Sequence, residues 1–299
     1  MDRLVAEEWI EAYVRPIGPI ELTHERPWST VLRVPLAKGV AWFKACNSLH
    51  AFEPRLTAEL SARWPDRVPE VLAFDGTRGW LLMADAGVRI GELGNLPTYW
   101  LEILPLYSEL QRGEVAHTPE HLEHGVPDFR VDTLPAHYHE LLEQDPPLSS
   151  DDLEKLRTFA PRFERLCREL SSQPIPDTIQ HDDLHMNNVY AQGEGLRVLD
   201  WGDSSVSHPF ASLVATFRFL EERNGITDDD PWRARIRDAY LEPWGSGLTE
   251  VFDVAQRVGT FAHAIAAMRQ RAALDGAAGN DFDQDLVVRL QRALALVTR

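Results

Sequence analysis

Residues 179–190 read IQHDDLHMNNVY, a stretch that sets two histidines, two aspartates and two asparagines close together between apolar segments. Aspartate and histidine side chains accept protons, and the oxygens of aspartate and asparagine are ligands for hard cations such as magnesium. This stretch is therefore the first candidate for a chemical site, and the rest of the chain is interpreted outward from it.

Three residues of the stretch, His181, Asp183 and Asn188, fit the pattern H-x-D-x-x-x-x-N. In kinase-type catalytic loops this aspartate serves as a base and this asparagine binds a metal ion. The pattern alone would arise by chance in roughly one such chain in a hundred. Asp200, however, follows at the end of the apolar segment LRVLD, where a D-F-G-like aspartate would hold magnesium on nucleotide phosphates. Order and spacing together indicate a catalytic loop followed by a metal-binding segment.

A third element of the pattern lies upstream, at Lys44, which ends the run VAWFK and is one of only three lysines in the chain. A lysine on a strand can reach nucleotide phosphates, and a glutamate on the next helix typically orients it. Glu53 is the candidate, because it lies three and seven residues before Leu56 and Leu60 and so shares their buried face, whereas Glu59 does not. Taken alone, Lys44 could equally be a surface residue whose stem covers apolar neighbours.

The first 85 residues predict a small α+β lobe. The segments STVLRVP and VAWFKA alternate as two strands of a hairpin, and the runs around 71–74 and 80–83 flank the turn DGTRG as a second hairpin. Between them, EPRLTAELSARW has helical spacing, with Pro54 suited to the first turn.

From residue 89 onward, helical periodicity predominates. The helical segments are expected at 98–112, 150–170, 209–223, 231–241, 249–275 and 283–298. We therefore predict an α+β, two-lobed fold: an N-terminal lobe at 1–85 with a small mixed sheet, a hinge near 83–88 and a mainly helical C-terminal lobe at 89–299.

Composition limits the partners of the 299-residue chain, whose formal net charge is −17. Such an acidic surface repels phosphate backbones, which excludes nucleic acid as the expected partner. Residues 1–85 carry 10 Lys+Arg against 12 Asp+Glu (net −2), and residues 86–299 carry 20 against 35 (net −15). The second part would attract a cationic small molecule, although a merely solvated acidic surface explains the charge as well.

Other features bear on the compartment. The opening MDRLVAEEWIEAYV has acids within its apolar pattern and predicts an amphipathic helix rather than a signal peptide, and no apolar run approaches a membrane span. Cys46 and Cys167 form no metal-type pair and are interpreted as buried, reduced thiols. We expect a cytoplasmic protein with no membrane partner.

The motifs give the chain a resemblance to the aminoglycoside phosphotransferase and choline kinase-like family of the protein-kinase-like fold. WFKA, EPRLTAEL, VPEVLAFDGTRGWLLM, HDDLHMNN and LDWGDSSVSHP follow one another in family order over most of the chain. The resemblance implies an ATP-dependent, magnesium-dependent phosphotransferase that moves the γ-phosphate to a hydroxyl group of a small molecule. An aminoglycoside-like acceptor is the first expectation, and choline, an amino sugar, homoserine or a macrolide are alternatives.

The resemblance also implies roles for the matching residues. Asp183 would be the catalytic residue, and Asn188 and Asp200 would bind magnesium. On the nucleotide side, Lys44, oriented by Glu53, would bind the α- and β-phosphates. The backbone from Met83 to Asp85 would face adenine, and Ser29 and Thr30 would cover the phosphates.

Two departures from the family pattern stand out. The place of the glycine-rich phosphate loop reads ERPWSTVLRV, without glycine, and turn-capping is an alternative role for Ser29 and Thr30. The family pattern GDPxxDL is replaced by SHPFASL, with His208 and Ser212 in place of both acids. The resemblance therefore does not predict which residues support the catalytic loop, nor to which subfamily the chain belongs.

Other interpretations remain open from sequence. HDDLH could be a metal-hydrolase cluster with His181 and His185 as ligands, but this leaves Asn188, Asp200 and Lys44 unexplained. HTPEHLEH, at 117–124, has histidines at suggestive spacing, yet its proline and the following GVPD favour a solvated connector. A nucleotide-binding protein without catalysis is the third class.

Overall fold

The computed structural model describes residues 1–144, 146–193, 195–274 and 280–297. The predicted α+β, two-lobed, protein-kinase-like architecture is confirmed: an antiparallel sheet occupies the N-terminal part, and helices predominate in the C-terminal part. The helix ends expected at residues 275 and 298 lie outside the described residues.

The N-terminal part contains two helices and a five-stranded sheet. Its elements are α1 (Arg3–Glu11), β1 (Glu21–Arg26), β2 (Ser29–Pro35), β3 (Val40–Cys46), α2 (Glu53–Arg63), β4 (Val71–Asp75) and β5 (Trp80–Ala84). The strand order is β1-β2-β3-β5-β4, and every neighbouring pair is antiparallel, so this sheet is not the mixed sheet that was predicted. Both predicted hairpins, β2–β3 and β4–β5, are confirmed.

Strand β1 was not predicted as a separate element. It reads ELTHER, and all of its side chains are exposed except that of His24, which is half-buried. An edge strand with both faces near solvent needs no alternation of apolar and polar residues. The hydrophobic pattern that revealed the other strands is therefore absent from β1.

The sheet packs under α1, whose first turn is capped by the Asp2 carboxylate. Trp9 of α1 meets Phe43 of β3 and Trp80 of β5 edge-on, with ring centroids 5.7 and 5.6 Å apart. By contrast, the buried face of α2 packs in the same apolar cluster as the helices of the C-terminal part. Helix α2 therefore links the two halves of the molecule.

The chain leaves the first sheet at Ala84 and enters a second one at Val88. Gly87, between them, has φ +93°, and a Cβ there would collide with the carbonyl oxygen of Ala191. Only glycine tolerates both this dihedral angle and this contact. The crossing lies within residues 83–88, and both the hinge expected there and the domain boundary at 85 stay predictions.

The C-terminal part combines eight described helices with two small sheets, ordered β6-β8-β9 and β10-β7. Its elements are β6 (Val88–Arg89), α3 (Pro97–Glu114), α4 (Thr118–Glu123), α5 (Leu134–Glu143), α6 (Ser150–Ser171), β7 (Thr178–Gln180), β8 (Val189–Gln192), β9 (Gly195–Val198), β10 (Ser205–Ser207), α7 (Leu213–Asn224), α8 (Pro231–Leu241), α9 (Thr249–Leu274) and α10 (Asn280–Val297). All six predicted helical segments are present. Helix α7 begins later than expected because residues 209–212 form a 3-10 turn, and α4 and α5 were not predicted.

The segment HTPEHLEH is not the solvated connector that its proline suggested. It forms α4, with the proline in the first helical turn, where no backbone donor is lost. His121 is fully buried, and its Nε2 lies 2.9 Å from Glu114 Oε2. The histidines at 117, 121 and 124 each lie beside a glutamate.

Glu114 is the centre of a buried polar cluster that ties α2 to α3 and α4. Its carboxylate accepts two hydrogen bonds from the Arg63 guanidinium, both 2.8 Å, and one from Trp64 Nε1 at 2.7 Å. Burial raises the pKa of Glu114, but the hydrogen bonds from His121, Arg63 and Trp64 outweigh it and lower the pKa to about 2.

This cluster predicts acid sensitivity. Because the folded pKa of Glu114 lies below the ordinary value of 4.5, its contribution is present above about pH 5 and is lost as pH falls towards 2. A depression of this size corresponds to about 3 kcal/mol of unfolding free energy. We expect Glu114→Gln to flatten the loss of stability between pH 5 and 3 in urea unfolding. Glu109→Gln, which removes a half-exposed carboxylate from the same helix, is the control, and an unchanged pH slope in Glu114→Gln would contradict the prediction.

Candidate active site

Lys44 and Glu53 form the ion pair that helical spacing predicted. Lys44 lies on β3 opposite Val31 and Leu81, and its Nζ is 2.7 Å from Glu53 Oε1. Glu53 begins α2 and is 1% exposed, so its charge is satisfied by protein groups rather than by water. The rejected candidate, Glu59, faces His124 and Arg63 instead.

Lys44 also reaches across the molecule to Asp200, with Nζ 2.6 Å from Oδ1. Burial lowers the pKa of Lys44, but the carboxylates of Asp200 and Glu53 outweigh it and raise the pKa well above its usual value. Burial likewise raises the pKa of Asp200, and the Lys44 ammonium reverses this and holds it below its usual range. Lys44 and Asp200 are therefore ionised at neutral pH, and Glu53 completes the cluster through its contact with Lys44.

The backbone conformation of residues 200–202 allows this segment to lie close to Glu53. Asp200 has φ +66°, in the left-handed region that residues other than glycine rarely adopt, and its side chain is 52% exposed. Two residues later, a Cβ on Gly202 would lie 2.7 Å from Glu53 Oε2. Glycine at 202 thus allows the segment to pass against Glu53, while the left-handed backbone at Asp200 accompanies a carboxylate that is half exposed.

The catalytic-loop stretch forms a compact turn around Asp183. Asn188 Nδ2 donates to the Asp183 carbonyl at 2.9 Å and to its Oδ2 at 3.3 Å. His185 Nδ1 accepts from the backbone N–H of Asn187, which leaves its proton on Nε2, 3.1 Å from Asp183 Oδ2. Burial raises the pKa of Asp183, but His185 and more distant cations outweigh it and lower the pKa to about 2.

Neutral side chains support the catalytic loop, although the family pattern has acids at positions 208 and 212. The backbone N–H of His181 donates to Tyr107 Oη at 2.9 Å, and Tyr107 Oη lies 2.9 Å from Ser212 Oγ. His181 Nε2 is 2.7 Å from the carbonyl of Leu199, which makes His181 structural, as expected. Ser212 thus supports the loop indirectly, through Tyr107.

His208, the other replacement, takes a different role. Its Nδ1 accepts from the backbone N–H of Phe210 at 3.3 Å and caps the following 3-10 turn. Burial lowers the pKa of His208 to about 3, so the ring is neutral at physiological pH. It contributes shape and a cap here rather than charge.

Oxygen donors for a hard cation are present next to this loop. The Asn188 side-chain nitrogen donates to Asp183, so its amide oxygen is the atom this side chain offers to a cation. Asp200 offers a half-exposed carboxylate on the neighbouring segment. Amide and carboxylate oxygens are the ligands that magnesium prefers, so these residues fit the ion.

The remaining predicted nucleotide residues lie along the same sheet. Ser29 and Thr30 are the first residues of β2 and make no side-chain hydrogen bonds within the described part of the chain. Met83 belongs to β5, opposite Trp42. Asp85 accepts from Trp42 Nε1 at 3.0 Å, and its carbonyl accepts from Gln192 at 2.8 Å. Contacts of these residues with a nucleotide stay predictions.

Several residues of the site belong to no sequence motif. Cys46, two residues past Lys44 on β3, points its Sγ at Glu53 Oε2 from 3.2 Å, and burial raises its thiol pKa. Gln270 of α9 donates to Asp203 Oδ1 at 2.6 Å. No local motif marks these contacts, although the two-residue period of a strand does place Cys46 on the side of Lys44.

Comparison with models of known protein families shows which family the chain belongs to. The profile of the phosphotransferase enzyme family matches residues 21–251, more than three quarters of the chain, from β1 through the catalytic loop and the Asp200 segment. The chain belongs to this phosphotransferase family. It is accordingly a small-molecule phosphotransferase with a kinase-like fold. No curated protein sequence matches it.

Solved structures of similar fold come from several phosphotransferases. Choline kinase LicA from Streptococcus pneumoniae superimposes with a TM-score of 0.66 at 14% identity, covering 98% of both chains. A GDP complex of aminoglycoside 2'-phosphotransferase-IIIa gives 0.66 at 14% identity, covering 99% of both. The amicoumacin kinase hAmiN, in complex with AMP-PNP, Ca²⁺ and Ami, gives 0.64 at 11% identity, covering 99% of this chain and 94% of that one.

The fold of the phosphotransferase is thus shared with enzymes that differ in acceptor. At such low identities, likeness establishes the fold and not the substrate. Within its described residues, none of the helices is both long and apolar enough to cross a bilayer.

Proposed function

We propose that this phosphotransferase moves the γ-phosphate of ATP to a hydroxyl group of a small molecule in a magnesium-dependent reaction. The observation that carries the proposal is the position of Lys44 Nζ, 2.7 Å from Glu53 and 2.6 Å from Asp200, which are distant in sequence. Protein kinases use a strand lysine paired with a helix glutamate, next to an aspartate that binds magnesium, beside the nucleotide phosphates.

In the proposed reaction, the acceptor oxygen forms a bond to the γ-phosphorus as the bond between that phosphorus and the bridging β-oxygen breaks. ADP leaves, and the proton of the acceptor hydroxyl passes to the Asp183 carboxylate. With its pKa held at about 2, Asp183 is ionised at neutral pH and able to accept that proton or orient the hydroxyl. His185 holds the carboxylate in place through Oδ2.

On the nucleotide side, Lys44 would bind the α- and β-phosphates, oriented by Glu53. The second oxygen of Glu53 accepts from the Cys46 thiol, which fixes the carboxylate plane. Asn188 and Asp200 would hold magnesium, which when bound supplies positive charge opposite the phosphate oxygens.

We expect Glu53→Gln to lower kcat/KM for MgATP by roughly tenfold, because it leaves Lys44 in place but removes the charge that orients it. The measurement is steady-state ADP release over a range of MgATP concentrations. Glu59→Gln, on the same helix but outside the site, is the control and should match the parent. Equal kinetics in both variants would contradict the role of Glu53.

The function itself is tested by an ATP-consumption screen with aminoglycosides, macrolides, choline, amino sugars and homoserine as acceptors. A hydroxyl compound that accelerates ADP release and yields a phosphorylated product supports the proposal. MgATP binding without acceptor-stimulated release would instead support a nucleotide-binding protein that has lost catalysis. Phosphorylation of an aminoglycoside would make antibiotic resistance the role to test in cells.

A further inference from the structure

Two arginines that no motif marked lie together beside the catalytic loop. Arg218 belongs to α7, and Arg289 belongs to α10, beyond the residues that the family profile matches. Both contact one carboxylate: Asp285 Oδ1 is 3.4 Å from Arg218 Nη1, and Asp285 Oδ2 is 2.6 Å from Arg289 Nε. Their side chains are only 11% and 17% exposed.

A continuous set of contacts connects the arginine pair to the catalytic aspartate. The Arg218 guanidinium stacks over the Phe219 ring, 4.6 Å from its centroid, and the Phe219 and His185 ring centroids are 4.3 Å apart. His185 in turn contacts Asp183. Arg289 joins this set of contacts through Asp285, whose carboxylate it shares with Arg218.

One carboxylate, that of Asp285, contacts both guanidinium groups directly, and the terminal nitrogens of Arg289 make no hydrogen bond among the described residues. Burial lowers the pKa of Arg289, but Asp285 and, at longer range, Asp183 and Asp203 outweigh it and raise the pKa, so Arg289 is held as a cation. Burial and the neighbouring Arg289 lower the pKa of Arg218, as expected for two cations held close together. Partly buried guanidinium groups with free donors are binding sites for carboxylates and phosphates.

We propose that Arg218 and Arg289 bind an anionic group of the acceptor, a carboxylate or a phosphate ester, and so orient its hydroxyl towards Asp183. This inference rests on the proposed phosphotransfer to a hydroxyl and narrows its acceptor class. The −15 net charge of residues 86–299 favoured a cationic acceptor, but that field acts at long range and is screened by salt, whereas partly buried guanidinium groups act at contact distance.

The acceptor, rather than the transferred phosphoryl group, is the source of this anion. The proposed position of the nucleotide phosphates is beside Lys44 and Asp200. The arginine pair instead follows from Asp183 through His185, which contacts Asp183 Oδ2, and Phe219, which packs between the His185 ring and Arg218. If the guanidinium group bound the transferred phosphoryl group, its removal would lower kcat with every acceptor. If it binds the acceptor, its removal raises the KM for anionic acceptors only.

The test compares hydroxyl compounds that differ in charge: glycerol, D-glycerate and glycerol 3-phosphate, with choline and kanamycin as cations. ADP release is measured for each, and binding is measured by calorimetry on the protein saturated with magnesium and a non-hydrolysable ATP analogue. We expect an anionic member to be preferred over glycerol by at least roughly tenfold, and Arg289→Gln or Arg218→Gln to abolish that preference. Arg289→Lys should retain part of it, because it keeps charge but loses the planar fork.

Arg292→Gln is the matched control, since Arg292 lies on the same helix but pairs with Glu222 at the surface. A preference for choline or kanamycin that the arginine variants do not alter would overturn the inference, as would the absence of binding by every anionic probe. An equal fall of kcat with all acceptors would also overturn it. Binding of an anion that depends on Arg289, without stimulated ADP release by any compound, would preserve the inference while the proposed function fails.

Discussion

Replacement of Asp183 with asparagine is expected to lower kcat by roughly 10²- to 10⁴-fold, the range over which a positioned proton acceptor contributes. Asparagine keeps the size of the side chain but cannot take the hydroxyl proton. The hydrogen bond from Asn188 to the backbone carbonyl of residue 183 does not depend on the side chain, so the loop should keep its shape. MgATP affinity should therefore stay within a few-fold of the parent, because Lys44, Asn188 and Asp200 are untouched.

The measurement combines single-turnover phosphorylation of the best acceptor with equilibrium binding of MgATP. Asp203→Asn is the informative comparison. Burial and the neighbouring Asp183 raise the pKa of Asp203, so this carboxylate is the alternative candidate for the base. If Asp183→Asn phosphorylates at the parental rate while Asp203→Asn does not, the base has been assigned to the wrong residue. A parallel thermal unfolding curve shows whether either variant has lost its fold.

The parts of the site that sequence predicted are those governed by short-range geometry. Glu53 could be chosen over Glu59 because helical periodicity fixes which positions share a face, and the chosen residue does meet Lys44. The approach of Asp200 to Lys44 is a long-range contact, and only the order of motifs, compared with kinases, suggested it. Periodicity alone carries no information about such a pairing.

The arginine pair illustrates what sequence could not reveal. Arg218 and Arg289 are separated by two helices, and the shared Asp285 belongs to the pattern of an ordinary amphipathic helix. Nothing in their local sequence distinguishes them from Arg292, which pairs at the surface. Only the packing of α10 against the rest of the C-terminal part brings them to the catalytic loop.

The support of the catalytic loop shows how a departure from a family pattern can be compensated elsewhere. Ser212 is too short to replace an acid directly, but Tyr107 of α3 extends its reach to the backbone N–H of His181. Loss of a buried charge also removes its desolvation cost, so a neutral relay can hold the loop as well as an ion would. Sequence shows the substitution at 212 and not its partner, because α3 lies far upstream.

Replacement of Asp200 with alanine is expected to remove most of the magnesium dependence of ATP affinity. Changes in residues that only support a metal ligand cost 10- to 100-fold in affinity, so loss of a proposed direct ligand should cost roughly 10²-fold or more. ATP affinity without magnesium should instead stay the same or rise slightly, because a carboxylate that repels phosphate is gone and Lys44 keeps only Glu53 as its partner.

Titration calorimetry of ATP at increasing magnesium concentrations distinguishes these effects, with Asp200→Asn as the matched variant that keeps an oxygen but loses the charge. We expect Asp200→Asn to fall between the parent and Asp200→Ala, since a neutral oxygen is a weaker ligand for a hard cation. Unfolding curves show whether loss of the contact between Lys44 and residue 200 destabilises the fold. Such a loss of stability is distinguished in this way from a loss of nucleotide affinity. If the magnesium titrations of Asp200→Ala and the parent superimpose, Asp200 is not a metal ligand, and its contact with Lys44 has another purpose.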